Sequence, residues 1–104
     1  MKKIKFNVNG QVLVRDPTSS SSDELIKGTS GYLKALFSFN SGWSNCAKTA
    51  VFSVGKETYE VPIENNACII PEEVTSHQRF WIYVVGNADP DYKIVTNKVG
   101  VKQT

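Results

Sequence analysis

Between Lys48 and Val74 the sequence KTAVFSVGKETYEVPIENNACIIPEEV alternates apolar and polar residues twice around a short glycine-containing break, a pattern that few folds accept. Ala50, Phe52 and Val54 recur at every second position, as do Tyr59, Val61 and Ile63. Each set therefore lies on one face of a pleated strand. Gly55-Lys56-Glu57 between them reads as a hairpin connection. Glu64-Asn65-Asn66 makes the next turn and Ala67 to Ile70 a short strand, which Pro71 ends because proline has no N–H for a central ladder.

The same alternation continues on both sides of this stretch. Ile4, Phe6 and Val8 mark a first strand, and Asn9-Gly10 is the strongest turn signal in the chain. Gln11 to Arg15 continues as strand, so the start is either a tight hairpin or one kinked edge strand. Asp16 to Gly31, with the serine run Ser19 to Ser22, breaks the pattern and reads as a long surface loop. Within it, Ser22 to Lys27 has the residues for one capped helical turn that carries Leu25 and Ile26. Tyr32 to Phe39 presents Leu33, Ala35, Phe37 and Phe39 to the core. After the turn Asn40-Ser41-Gly42, Trp43 is expected to plug one end of that core, its indole N–H reaching a backbone carbonyl. Pro71 to Val74 is expected to make one helical turn, because proline suits the first helical position and acids its positive end. Arg79 to Gly86 is the most hydrophobic strand, with Phe80, Ile82 and Val84 on one face and Trp81, Tyr83 and Val85 on the other. Apolar residues on both faces imply a central strand or a covered outer face. Asn87 to Asp91 reads as a loop and Tyr92 to Val101 as the final strand.

At 104 residues the chain is expected to form one domain spanning residues 1–104. A domain of this size buries roughly two-thirds of the surface its unfolded chain exposes. Such a core leaves little interior for a large cofactor, so none is expected and function is expected on the surface. The net charge of +2 is spread out, and the cluster Lys2, Lys3 and Lys5 is the solvent face of a strand rather than a nucleic-acid stripe. No apolar run approaches the roughly 18 residues of a membrane span. Asn7, Asn9 and Gly10 interrupt what would be the core of a signal peptide, so no signal peptide and synthesis in the cytoplasm are expected. Cys46 and Cys68 are too few and too far apart for a zinc site, and are expected to be free thiols.

Catalytic constellations are missing from the residues. His77 is the single histidine, and its neighbour Ser76 lies outside any nucleophile-elbow motif. Glu72 and Glu73 are adjacent on a turn and point apart, unlike a pair flanking a scissile bond. Asn87, Asp89 and Asp91 open like a calcium loop, but Tyr92 stands where that loop needs glycine and Lys98 where it needs glutamate. The expectation is a protein that is not an enzyme and holds no metal.

About seven short strands, with turn signals roughly every 8–12 residues and no substantial helix, point to an all-β, immunoglobulin-like β-sandwich of antiparallel strands. It would lack the usual inter-sheet disulfide. A partly open barrel is the other architecture this pattern allows.

From Tyr32 to Val101 the chain also resembles small proteins and N-terminal attachment domains in virions of tailed phages and prophages of Gram-positive bacteria. The likeness lies in Tyr32-Leu33 with Phe37 to Phe39, in Trp43 followed by Lys48 to Phe52, and in Tyr59-Glu60-Val61. It continues through Cys68 to Val74 and in Thr96-Asn97 before Val99 and Val101. The resemblance implies a baseplate, tail or head-fibre component of the virion, assembled in the host cytoplasm. Its partners would be other virion proteins and further copies of itself, with no nucleic acid or membrane. The candidate interaction surface is Trp81, Tyr83 and Val85 together with Leu25 and Ile26. A module that binds carbohydrate on a host surface by stacking on Trp43, Trp81, Tyr83 or Tyr59 is the alternative, resting on aromatic content.

Overall fold

The structure is a computed structural model that describes residues 2–16, 33–44, 46–88 and 92–102. In order along the sequence its strands are β1 (Lys2–Asn9), β2 (Val12–Arg15), β3 (Leu33–Phe39), β4 (Ala47–Val54), β5 (Glu57–Pro62), β6 (Ala67–Ile69), β7 (Arg79–Ala88), β8 (Tyr92–Val95) and β9 (Val99–Lys102). A 3-10 turn, Ser41–Trp43, precedes β4, and a single helical turn, α1 (Glu72–Thr75), precedes β7.

These strands form two sheets, one in the order β2-β1-β3-β6 and the other β5-β4-β7, with β8 and β9 end to end along the far side of β7. The turns follow from local chemistry. β1 and β2 pair across a two-residue loop in which Gly10 has φ +61°, a conformation glycine adopts without steric cost. Of the two openings allowed by the sequence, the tight hairpin forms. Between β5 and β6, Asn65 and Asn66 both have positive φ, 54° and 59°, as a type I′ loop requires and asparagine tolerates.

The inward residues meet as expected. Ile4, Phe6, Val8, Leu33, Ala35, Phe37, Ala50, Phe52, Phe80, Ile82 and Val84 are buried in one core between the sheets. Val54, Tyr59, Val61 and Ile63 pack against its margin. A row of rings runs along the inner face of β1 and β3: Phe6 to Phe37 at 5.5 Å, Phe37 to Phe39 at 5.7 Å and Phe39 to Trp43 at 5.2 Å between centroids. Trp43 ends the row, fully buried, and donates its indole N–H to the Gly10 carbonyl at 2.9 Å.

Three features depart from the expected layout. First, β1 and β3 run parallel, so the pairing is not antiparallel throughout. Parallel strands need a connection that brings the backbone back to the end where the first began, and β2, antiparallel to β1, makes part of that return. Second, β7 runs past Gly86 to Ala88 instead of ending there. Gly86 is an inner-face position filled from across the core, since a Cβ there would lie 2.6 Å from Cζ3 of Trp43.

Third, the described residues form nine strands rather than about seven, partly because the closing strand splits into β8 and β9. At the split, Thr96 donates its N–H to the Val84 carbonyl at 3.0 Å and accepts the Val84 N–H on its hydroxyl at 2.9 Å. The hydroxyl thus takes the place of a backbone carbonyl, and the backbone turns away from β7. Asn97 then crosses to the other sheet. Its Oδ1 accepts the Leu13 N–H at 2.7 Å and its Nδ2 donates to the Leu13 carbonyl at 3.1 Å. One carboxamide acts as a peptide group for the open edge of β2 and ties the two sheets together at that corner.

Candidate functional site

Alternation along β7 sends Trp81, Tyr83 and Val85 to the outer face of the five-stranded sheet, opposite the buried Phe80, Ile82 and Val84. Register sets their neighbours. Trp81 lies between Ser53 and Gly100, Tyr83 beside Val51, and Val85 between Thr49 and Val95. The three side chains proposed from the sequence therefore form one continuous stripe across the middle of the sheet. Leu25 and Ile26, proposed with them, lie outside the described residues, as do Asp89 and Asp91 of the calcium-like run.

Trp81 remains 41% exposed, and its indole lies over Gly100, where a Cβ would come within 3.0 Å of Cζ3. One ring face thus covers bare backbone while the other faces solvent. Lys98 places Nζ 5.8 Å from the Tyr83 ring centroid, within cation–π range. Val51 is buried although it points outward, at the floor of a shallow depression lined by Glu60, Tyr83, Val85 and Lys93. The stripe thus combines an apolar floor, an aromatic ridge and charged margins. That composition suits protein contact better than chemistry on a bound small molecule.

A second exposed apolar group escaped sequence reasoning. Val12 and Val14 on β2 are 55% and 47% exposed, and Ile69 on β6 points outward from the other edge of the same four-stranded sheet. Val12-Leu13-Val14 carries apolar residues on both faces of a strand, the same signal that singled out β7. Its short length hid it.

Ser76 donates its hydroxyl to the Glu73 carbonyl at 3.0 Å, and Glu72 and Glu73 are solvent-exposed at the start of α1. Among the described residues no three His, Cys, Asp or Glu side chains come together as a metal-ligand set. Cys46 and Cys68 are unbridged.

Burial pushes the Cys68 thiol from its ordinary 9.0 up to about 12, because a thiolate there would lose its hydration. The unfolded protein therefore releases this proton first. The contribution of the neutral thiol is complete below pH 9.0 and is lost as pH rises from there towards about 12. Denaturant titrations in this window should show stability falling by at most about 1.4 kcal/mol per pH unit from this group. Cys68→Ala should remove that part of the slope. In thiol labelling at neutral pH, half-buried Cys46 should react first and Cys68 only in step with unfolding.

No family model, curated protein or solved structure matches this chain.

Proposed function

We propose that this chain is a non-enzymatic structural module of a tailed-phage virion, an immunoglobulin-like domain that docks several identical copies onto a symmetric head or tail assembly. The observation that carries the reading is the Trp81, Tyr83 and Val85 stripe, an aromatic and aliphatic surface on the strand at the centre of a sheet. Exposed apolar patches of this kind mark protein interfaces, and aromatic residues dominate their binding energy. Two packed sheets without a disulfide fit the immunoglobulin-like assignment, and the residue-level likeness from Tyr32 to Val101 supplies the virion context. Copies on such an assembly would be related by its symmetry.

Two measurements test this. Mass spectrometry of purified particles from the source strain should find the protein in stoichiometric amount, and particles lacking it overturn the proposal. Trp81→Ala and Tyr83→Ala should each weaken incorporation into particles by about 30-fold, the loss expected from truncating an interface anchor worth about 2 kcal/mol. Circular dichroism of the free protein separates that loss from misfolding.

The carbohydrate alternative has fewer residues to use. Trp43 is fully buried and Tyr59 faces the core, which leaves Trp81 and Tyr83 as platforms. Glycan-array binding that disappears in Trp81→Ala would favour it over docking.

A further inference from the structure

The Asn9-Gly10 hairpin is held by an unusual set of side-chain bonds. Asn40, at the end of β3, accepts the Gly10 N–H on Oδ1 at 3.3 Å and donates from Nδ2 to Oδ1 of Asn9 at 3.1 Å. Its own N–H donates to the Val8 carbonyl at 3.1 Å, and the Trp43 indole N–H holds the Gly10 carbonyl at 2.9 Å. One carboxamide thus restrains both groups that would have to meet for an Asn-Gly pair to react with itself.

That self-reaction is ordinary peptide chemistry, and it is easiest before glycine, where no side chain shields the amide nitrogen. The Gly10 nitrogen gives its proton to hydroxide and attacks Cγ of Asn9. A new bond from that nitrogen to Cγ closes a succinimide ring, and the bond between Cγ and Nδ2 breaks to release ammonia. Water then opens the ring at either carbonyl, giving aspartate or isoaspartate, with no change of oxidation state.

We propose that Asn9 is a site of spontaneous deamidation held in check by Asn40, so that the reaction proceeds when the β1–β2 hairpin opens locally. Asn9 is solvent-exposed, so water and hydroxide reach it, and geometry rather than burial supplies the protection. In the closed hairpin the Gly10 proton is engaged with Asn40, the Asn9 carboxamide is turned towards the same residue, and Asn9 pairs with Val12. An isoaspartate at this point adds a methylene to the backbone beside that pairing. It would move the Gly10 carbonyl off the Trp43 indole and loosen the plug of the core. The inference is independent of the virion reading.

The test incubates the 104-residue chain in mildly alkaline buffer, natively and in urea, and maps deamidation by peptide mass spectrometry with enzymatic isoaspartate labelling. Native protein should react at Asn9 at least about tenfold more slowly than unfolded protein, the protection expected of a closed local structure. Asn40→Ala should raise the native rate several-fold while circular dichroism stays native. Asn40→Asp, which keeps an acceptor for the Gly10 N–H but loses the donor to Asn9, should fall between the two. Should Asn40→Ala not fold, Asn40→Asp and the comparison of native with unfolded wild type decide the matter. Equal rates in native and unfolded wild type overturn the proposal, and so does a folded Asn40 variant that reacts no faster than wild type.

Discussion

Gly86→Ala lowers the thermal unfolding midpoint by roughly 10–20 °C, the shift expected when one methyl group overpacks the core of a domain this small. The added Cβ would lie 2.6 Å from Cζ3 and 2.9 Å from Cε3 of Trp43, and 3.0 Å from Cγ2 of Ile94. The indole cannot retreat cheaply. It is fully buried, packed against Phe39 in a tilted arrangement with centroids 5.2 Å apart, and fixed by its bond to Gly10. Gly86 itself lies mid-strand, paired with Lys48 on one side and Ile94 on the other. Calorimetry on wild type and variant measures the shift. An unchanged midpoint would mean that the indole is not seated on β7. By contrast, the three atoms nearest a Cβ on Gly100 all belong to the partly exposed Trp81, which can swing outward.

Trp43→Ala has the larger effect, about 3–5 kcal/mol, because it leaves a cavity where the aromatic row meets the two sheets. Set against a total stability of about 5–15 kcal/mol, that is enough to bring the domain close to unfolding at physiological temperature. Trp43→Phe separates the two roles of the residue. It keeps a ring against Phe39 but leaves the Gly10 carbonyl without its donor, a loss of about 1 kcal/mol. Urea titration should show both changes as a lower midpoint with an unaltered slope. The two sites are coupled through one volume. In the Trp43→Ala background the cavity accepts the extra methyl, so Gly86→Ala should cost at least about 1 kcal/mol less there than in wild type. Additive losses would separate Gly86 from the plug.

Much of the fold was legible because its signals are local. Alternation named the inward face of every long strand, and Asn9-Gly10, Gly55-Lys56 and Asn65-Asn66 each sit in a turn whose positive φ suits glycine or asparagine. The end of β6 shortly before Pro71, at Ile69 rather than Ile70, and the single helical turn after it were equally readable. The candidate stripe was readable for the same reason: residues two apart on a strand share a face wherever the strand ends up. Trp43 as a core plug was also foreseeable, since a large apolar ring with one polar hydrogen has few stable places in a small domain.

What lay beyond the sequence depends on contacts between residues far apart along the backbone. Nothing near Gly86 announces that an indole from residue 43 occupies its side-chain space, and a glycine late in a hydrophobic run looks like a strand end. Nothing near Asn97 shows that its carboxamide will complete the edge of β2, because the Leu13 peptide groups it meets are 84 positions away. The parallel pairing of β1 with β3 and the outward exposure of Val12 and Val14 have the same origin. By itself the sequence determined the strands, their inward faces and most of their turns, since a two-residue period and backbone preferences act over a few residues. Tertiary structure decided strand order, the closure of the corner by Asn97 and the seat of Trp43, because these depend on which surfaces meet once the sheets pack.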